Sequence, residues 1–283
     1  MGNEKEGYMM KIKHYLYNAF LIQSGDKKIA IDPGALFFYF FRLTTLIPKS
    51  EWEDVTHILI THGDIDHYWY ADRVAEISNA PIICNATMVQ EIDGKPKLLG
   101  PRDEGVVFTT LVKKLHTVSV DETIEVDGIS ITGIKTTHGA LTFRFGPFSK
   151  TLTPGPNERI GWGSIGFAIK VEGKSIINLG DTLLNKEAWK KLQSPDILMI
   201  PIGGKTVYNT MDEKEALEAI KIIKPKLVIP CHYNCPALFS KKYNHADEQW
   251  FKREVEKLGI HCQIMYSGVE IEVGVDEKDH SMS

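Results

Sequence analysis

The residues with the greatest capacity for chemistry are gathered in "THGDIDHYWYADRV", residues 61–74, where His62, Asp64, Asp66 and His67 stand close together. Solvation explains aspartates on a surface, because charged side chains are mostly exposed. Histidine is scarcer, and neutral imidazole is a common metal ligand. The spacing raises the question of whether these residues form half of a metal site. If Asp66 and His67 open a helix they project about 100° apart, so both can bind from one side of the chain without crowding.

Further metal-capable residues recur at the ends of separate apolar stretches. Asp32 ends "KKIAID", His62 ends "ILITH", His138 ends "GIKTTH", Asp181 ends "IINLGD" and His232 ends "LVIPCH". Each has an ordinary explanation, since an aspartate after a strand commonly caps a turn and a single histidine is more often a satisfied core residue. As a set they describe strand ends meeting on one edge of a layered fold, and a metal site accounts for all of them at once.

The elements that must position these residues follow a regular order. "HYLYNAFLIQSG" and "KKIAIDPG" read as two strands joined at Gly25-Asp26, and "VTHILITH" as a buried strand running into the histidine-rich loop. From Asp66 the apolar spacing of Tyr70, Val74 and Ile77 is helical, so the ligand candidates occupy a strand-to-helix loop. "TVSVDETIEVDGISITGIKTTHG" alternates like antiparallel strands, and "GSIGFAIKVEGKSIINLGD" is a hairpin turning at Glu172-Gly173-Lys174. Helix-like "KEAWKKLQ", "MDEKEALEAIKIIKP" and "ADEQWFKREVEKLG" then alternate with strand-like "DILMIPIGG" and "KLVIPCHYN", before a last strand pair. The second half repeats the grammar of the first, which implies two sheets face to face with helices outside, a four-layer αββα sandwich of the α/β class. We read residues 1–283 as a single such domain with disordered ends at 1–7 and 275–283.

Composition removes several function classes. The 283 residues are 43% hydrophobic and 25% charged, ordinary globular usage, and the formal charge of −4 offers no basic field for a nucleic acid. The longest apolar run, "ALFFYFF", stops at Arg42, far short of the roughly 20 residues that span a bilayer. Four scattered cysteines (Cys84, Cys231, Cys235, Cys262) and the absence of an apolar signal core at the N-terminus fit a cytoplasmic protein with reduced thiols. Neither a G-x-S-x-G nor a Walker A signature competes, and "RIGWGSIGF" precedes a hairpin instead of opening a dinucleotide-binding helix. His14, His57, His116, His245, His261 and His280 lie outside every motif and are read as structural or surface residues. Cys231 alternates with His232 along its strand and is expected to face away from it.

With "THGDIDH" as a His-x-His-x-Asp-His loop, then His138, "LGDT" at Asp181 and "PCHYN" at His232 in that order, the chain resembles the metallo-β-lactamase superfamily from about Tyr15 to Val273. "PIGGKTVYNTMDEKEALEAIKIIKPKLVIPCHYN" looks most like the branch containing L-ascorbate-6-phosphate lactonase, and less like the N-acylphosphatidylethanolamine phospholipase D branch. The resemblance implies that His62, Asp64 and His138 bind one metal, that Asp66, His67 and His232 bind another, and that Asp181 bridges them. It makes Asp66 and Asp181 the carboxylates that serve catalysis, with a metal-bridging hydroxide as the nucleophile. It also gives Asp32 the role of accepting a hydrogen bond from a ligating histidine, fixing its tautomer. Asp64 departs from the pattern, which more usually has histidine there. Two divalent ions are implied, with zinc the expected metal and manganese or iron admitted beside it by the extra oxygen donor.

The implied function is dinuclear metal-dependent hydrolysis of a carbonyl or phosphoryl centre in a small metabolite, lactone-like or phosphoester-like. The alternatives are a phosphodiesterase acting on lipid or nucleic acid, and a non-hydrolytic di-iron redox protein on the same fold. Gly203, Gly204 and Lys205, with a capping box at Thr210-x-x-Glu213, are a candidate anion site before a helix, or equally an ordinary connection. The aromatic segment 36–48 is expected to be a lid, a contact for a second copy or for lipid, or plain packing.

Overall fold

The computed structural model describes residues 9–35, 47–92, 94–98, 114–145, 147–154, 160–192, 194–236 and 243–274. The ends expected to be disordered, 1–7 and 275–283, lie outside these residues, as do positions 36–46 of the aromatic segment.

One seven-stranded sheet runs in the order β18 (Glu270–Val273), β1 (Met10–His14), β2 (Phe20–Ser24), β3 (Lys27–Ile31), β4 (His57–Ile60), β5 (Ile82–Asn85) and β8 (Leu115–Val118). The other runs β17 (His261–Cys262), β16 (Leu227–Cys231), β15 (Ile197–Pro201), β14 (Lys174–Asn178), β13 (Gly166–Val171), β10 (Ile129–Ile134) and β9 (Thr123–Val126). Each sheet joins an antiparallel stretch to a parallel one, β3-β4-β5-β8 in the first and β14-β15-β16-β17 in the second. Two hairpins stand apart: β6 (Val89–Ile92) with β7 (Lys95–Leu98), and β11 (Leu141–Phe145) with β12 (Phe148–Leu152). The helices are α1 (Ile65–Tyr68), α2 (Ala71–Ser78), α3 (Lys186–Trp189), α4 (Gly204–Val207), α5 (Glu213–Ile223) and α6 (Glu248–Lys257).

Period-two alternation builds the layers. Leu59 of β4 faces the interior between the sheets with Ile31, Ile131, Phe167, Met199 and Ile229, whereas its neighbours Ile58 and Ile60 face outward, where Val74 and Ala75 of α2 cover them. In the second sheet Ile197 and Met199 point inward, and Leu198 and Ile200 pack beneath Ala216 and Ile220 of α5 and Phe251 of α6. Three apolar layers between four layers of structure are the expected αββα sandwich. The carboxyl ends of the parallel strands in both sheets open on one edge, where open α/β sheets bind ligands.

Local differences from the sequence reading have physical causes. "HYLYNAFLIQSG" is two strands, not one: the chain turns at residues 15–19, where Tyr17 has φ 53° and the Tyr15 N–H bonds the Ala19 carbonyl. The capping box lies two residues later than expected, on Asp212 and Glu215; the Thr210 hydroxyl instead donates to the Thr182 carbonyl. The last two strands do not pair with each other. β17 extends the second sheet beside β16, and β18 crosses to the first sheet beside β1.

Candidate metal centre

Loops at the carboxyl ends of β3, β4, β10, β14 and β16 bring Asp32, His62, Asp64, Asp66, His67, His138, Asp181 and His232 together. Asp64 ends the extended stretch before α1, whose first turn carries Asp66 and His67. The centre has two lobes around Asp181. In one, Asp64 Oδ2 lies 3.5 Å from His62 Nε2 and 3.4 Å from His138 Nε2, and Asp181 Oδ2 is 3.8 Å from His138 Nε2. In the other, Asp66 Oδ2 lies 3.5 Å from His67 Nε2 and 3.4 Å from His232 Nε2; Asp181 reaches His67 Nε2 at 3.8 Å and His232 Nε2 at 3.0 Å. The imidazoles are buried, while the Asp64 and Asp66 side chains are 14% and 19% exposed, so the centre meets solvent across those two carboxylates.

The outer nitrogens reveal what the inner ones present. His138 Nδ1 is 2.7 Å from the Gly139 carbonyl, which can only accept, and His67 Nδ1 is 2.7 Å from the Asp32 carboxylate. Thr61 Oγ1 commits its proton to Asp32 Oδ2 at 2.5 Å, so at 3.0 Å from His62 Nδ1 it accepts. In its neutral form each of these three rings therefore carries its proton on Nδ1 and turns a bare Nε2 lone pair inward, the form that binds a metal ion. His232 Nδ1 faces the Asn244 amide at 2.7 Å. A half turn of that amide lets Asn244 Oδ1, otherwise without a partner, accept from Nδ1 and leaves the fourth Nε2 bare as well.

All four Nε2 atoms and Asp181 Oδ1 are buried without a hydrogen-bond partner. Buried polar atoms are normally paired, and five orphans aimed at one point fit coordination to cations. The donor set, two imidazoles and a carboxylate in each lobe with Asp181 between them, suits divalent metals. The grouping of Asp32 with His62 and His67 does not: Asp32 already takes the Thr61 N–H at 2.8 Å and the Asn18 amide at 2.6 Å besides Thr61 and His67.

Electrostatics agree. Burial disfavours the His67 imidazolium, but the carboxylates of Asp66, Asp32 and Asp181 outweigh it and hold the ring well above its ordinary pKa. Burial likewise raises the Asp64 and Asp66 carboxyls, and the histidines beside them bring both below the usual range, Asp66 strongly. Burial lowers His138, keeping its lone pair available despite the nearby Asp64. The cluster stabilises added positive charge, which a metal ion supplies more fully than a proton.

Several residues that build the centre carry no signal of metal chemistry in the sequence. The Gly161 N–H donates to Asp64 Oδ1 at 2.9 Å, and the Trp162 carbonyl accepts the Gly63 N–H at 2.8 Å, so Gly161 and Trp162 clamp the first lobe. Asn209 Nδ2 donates to Asp181 Oδ2 at 2.9 Å. Gly203 and Gly204, the candidate anion site, stand where the chain is closely packed. A Cβ at Gly203 would lie 2.2 Å from the His232 carbonyl and one at Gly204 1.8 Å from that of Thr210, while the Gly204 N–H is taken by Met211. These glycines permit close packing behind His232, and Lys205 is exposed beyond them. Cys231 lies in the layer between the sheets, its thiol 3.5 Å from Asn18 Oδ1 and pushed well up by burial, facing away from the imidazole that follows it.

Comparison with known proteins converges on the same reading. Residues 11–232 match the family model described as a beta-lactamase superfamily domain. A UPF0173 metal-dependent hydrolase of Pyrococcus abyssi is 32% identical over 251 residues, covering 87% of this chain and 92% of the relative. Among solved structures, Igni18, a metallo hydrolase from Ignicoccus hospitalis, superposes with a TM-score of 0.69 at 21% identity, covering 95% of this chain and all of that one. CmlA, a diiron β-hydroxylase from Streptomyces venezuelae, shares the fold with a TM-score of 0.63 at 12% identity, over 95% of this chain and 54% of its own. The chain belongs to the metallo-β-lactamase superfamily and, within it, to the UPF0173 family of metal-dependent hydrolases.

Proposed function

We propose that this hydrolase works with two divalent metal ions, one held by His62, Asp64 and His138, the other by Asp66, His67 and His232, with Asp181 shared. The observation that carries this reading is the gathering around Asp181 of four buried Nε2 atoms, each without a hydrogen-bond partner, as is Asp181 Oδ1 itself. Bound metals polarise a substrate oxygen and bring the deprotonation of water near neutral pH. Zinc suits the four imidazoles; the oxygen donors of Asp64, Asp66 and Asp181 also admit manganese or iron.

The chain's own groups divide the remaining work. Asp64 and Asp66 line the solvent side, where a substrate carbonyl or phosphoryl centre must arrive. Asp66 is the carboxylate placed to take a proton as water is consumed and to return it to the leaving oxygen. Asp181 keeps the lobes in register, and Asp32 holds His67 with its Nε2 inward. The substrate class we favour is a small lactone-like or phosphoester-like metabolite, in line with the similarity of "PIGGKTVYNTMDEKEALEAIKIIKPKLVIPCHYN" to the L-ascorbate-6-phosphate lactonase branch. A cytoplasmic location is supported by four free, buried cysteines, and no helix among the described residues is long and apolar enough to cross a membrane.

The test is turnover of a lactone, a phosphodiester and a thioester by the same preparation, before and after chelation. Chelator-sensitive, metal-restored turnover of the lactone or a phosphoester is expected. Turnover that survives complete metal removal would contradict the reading, and oxygen consumption by an iron-loaded sample without hydrolysis would move the chain to redox chemistry.

A further inference from the structure

Behind the ligands lies a closed ring of buried polar groups. Asn18, in the turn between β1 and β2, donates one amide hydrogen to Asp32 Oδ2 at 2.6 Å and the other to Asn178 Oδ1 at 3.0 Å. Its Oδ1 accepts from Asn178 Nδ2 at 3.0 Å and from the Cys231 thiol at 3.5 Å, which uses its full hydrogen-bonding capacity. Asn178 ends β14 and accepts the Gly180 N–H at 3.0 Å. A Cβ at Gly180 would stand 2.7 Å from Thr61 Cβ, so between these two residues the ring is closed by packing and not by a hydrogen bond, and two bonds tie Thr61 to Asp32.

The members come from both sheets, and those around the two asparagines touch or adjoin a ligand. Thr61 precedes His62, Asp32 holds His67, and Gly180 precedes Asp181. Tyr17, next to Asn18, accepts the His232 main-chain N–H at 2.9 Å. The reciprocal amide pair of Asn18 and Asn178, both fully buried, is the link that closes the ring between the sheets. A satisfied buried network of this kind rigidifies what it joins, and its members act as a unit.

We infer that Asn18 is a positioning residue that couples the two lobes of the metal centre, working through Asp32 on His67 and through Asn178 on the segment carrying Asp181. The inference rests on the dinuclear reading above. It makes the affinities for both ions depend on one amide that touches neither.

The test is zinc titration of metal-free wild type, Asn18→Ala, Asn178→Ala and the double variant. Both stepwise affinities are read by chelator competition, and thermal unfolding of the metal-free proteins is followed in parallel. Each single variant is expected to weaken both ions by about 10- to 100-fold, the usual cost of losing a group that orients ligands. The double variant is expected to match the weaker single within about twofold, because either change opens the same link. Ser175→Ala, which removes a half-buried hydroxyl from Asp196 at the far end of β14, serves as a control that lowers stability without moving either affinity. Asn18→Ser, which returns a small donor, replaces Asn18→Ala if the latter does not fold, and is expected to recover part of the affinity of wild type.

Unchanged affinities in the Asn18 variants, a loss confined to one ion, or losses that add in the double variant would overturn the coupling. Two ions in wild type with unchanged variants sinks this inference alone. Fewer than two ions in wild type removes the dinuclear reading on which it rests, and the coupling with it.

Discussion

Asp32 is the position at which removal of a single carboxylate reaches furthest, because four donors converge on it: His67 Nδ1, Thr61 Oγ1, the Thr61 N–H and the Asn18 amide, at 2.5 to 2.8 Å. It is fully buried, so no water replaces it at the surface. Asp32→Ala strands these donors. Each buried donor left unsatisfied costs about 1–3 kcal/mol, and breaking a buried charged pair costs about 3–5 kcal/mol in all when neighbours partly re-pair. At roughly 2–4 °C per kcal/mol for a large domain, the metal-free variant should melt about 6–20 °C below wild type. Asp32→Asn keeps the shape and one of the two acceptor oxygens but removes the charge facing His67. It should lose less stability while still weakening metal binding by about 10- to 100-fold, since an orienting carboxylate tunes its histidine. Differential scanning calorimetry on the metal-free proteins and chelator competition for zinc measure the two effects separately. An Asp32→Ala protein that melts with wild type, or an Asp32→Asn protein that binds zinc as wild type does, would refute the role given to this carboxylate.

Asp64→Ala should lose the first ion and retain most of the second, whereas Asp64→His should keep both and shift preference from manganese toward zinc; metal content after dialysis against a mixture of the two ions decides. Gly161 has φ +64°, and a Cβ there would lie 2.3 Å from His138 Cβ, so Gly161→Ala should destabilise the fold by about 1–3 kcal/mol and weaken the first ion, seen by calorimetry and competition. His14 is buried with Nδ1 unpartnered, and burial lowers its pKa to about 4 from 6.5. The unfolded chain then binds more protons between these values, so stability present above pH 6.5 falls as pH drops toward 4, by about 3 kcal/mol at 1.36 kcal/mol per unit. His14→Phe should remove that part of the acid sensitivity, read as the difference between the two proteins' urea midpoints across the window.

Metal chemistry was legible in the sequence because its residues are chemically distinctive: His62, Asp64, Asp66, His67, His138, Asp181 and His232 stand out by type and by their place after apolar runs, and the structure gathers all seven. The layers were legible for a related reason, since alternation such as Ile58-Leu59-Ile60 reports two buried faces. What supports the site was not. Nothing local marks Asn18, Asn178, Asn209 or Asn244, least of all an asparagine bonded to a partner 160 positions away, as Asn18 is to Asn178. Strand pairing failed for the same reason at the C-terminus, where β18 finds β1 across the whole chain. The break at Tyr17 was hidden by continuing apolar residues, and becomes intelligible only once its carbonyl is seen to hold the His232 main chain.

The central claim, that Asp181 is shared by two metal ions, is tested most directly by metal stoichiometry. Wild type and Asp181→Ala are reconstituted with zinc, dialysed and analysed by mass spectrometry of the metal against protein concentration. The arrangement of His62, Asp64 and His138 on one side and Asp66, His67 and His232 on the other predicts two ions per chain for wild type and at most one for Asp181→Ala. A wild type that saturates at one ion, or an Asp181→Ala protein that retains two, would contradict it.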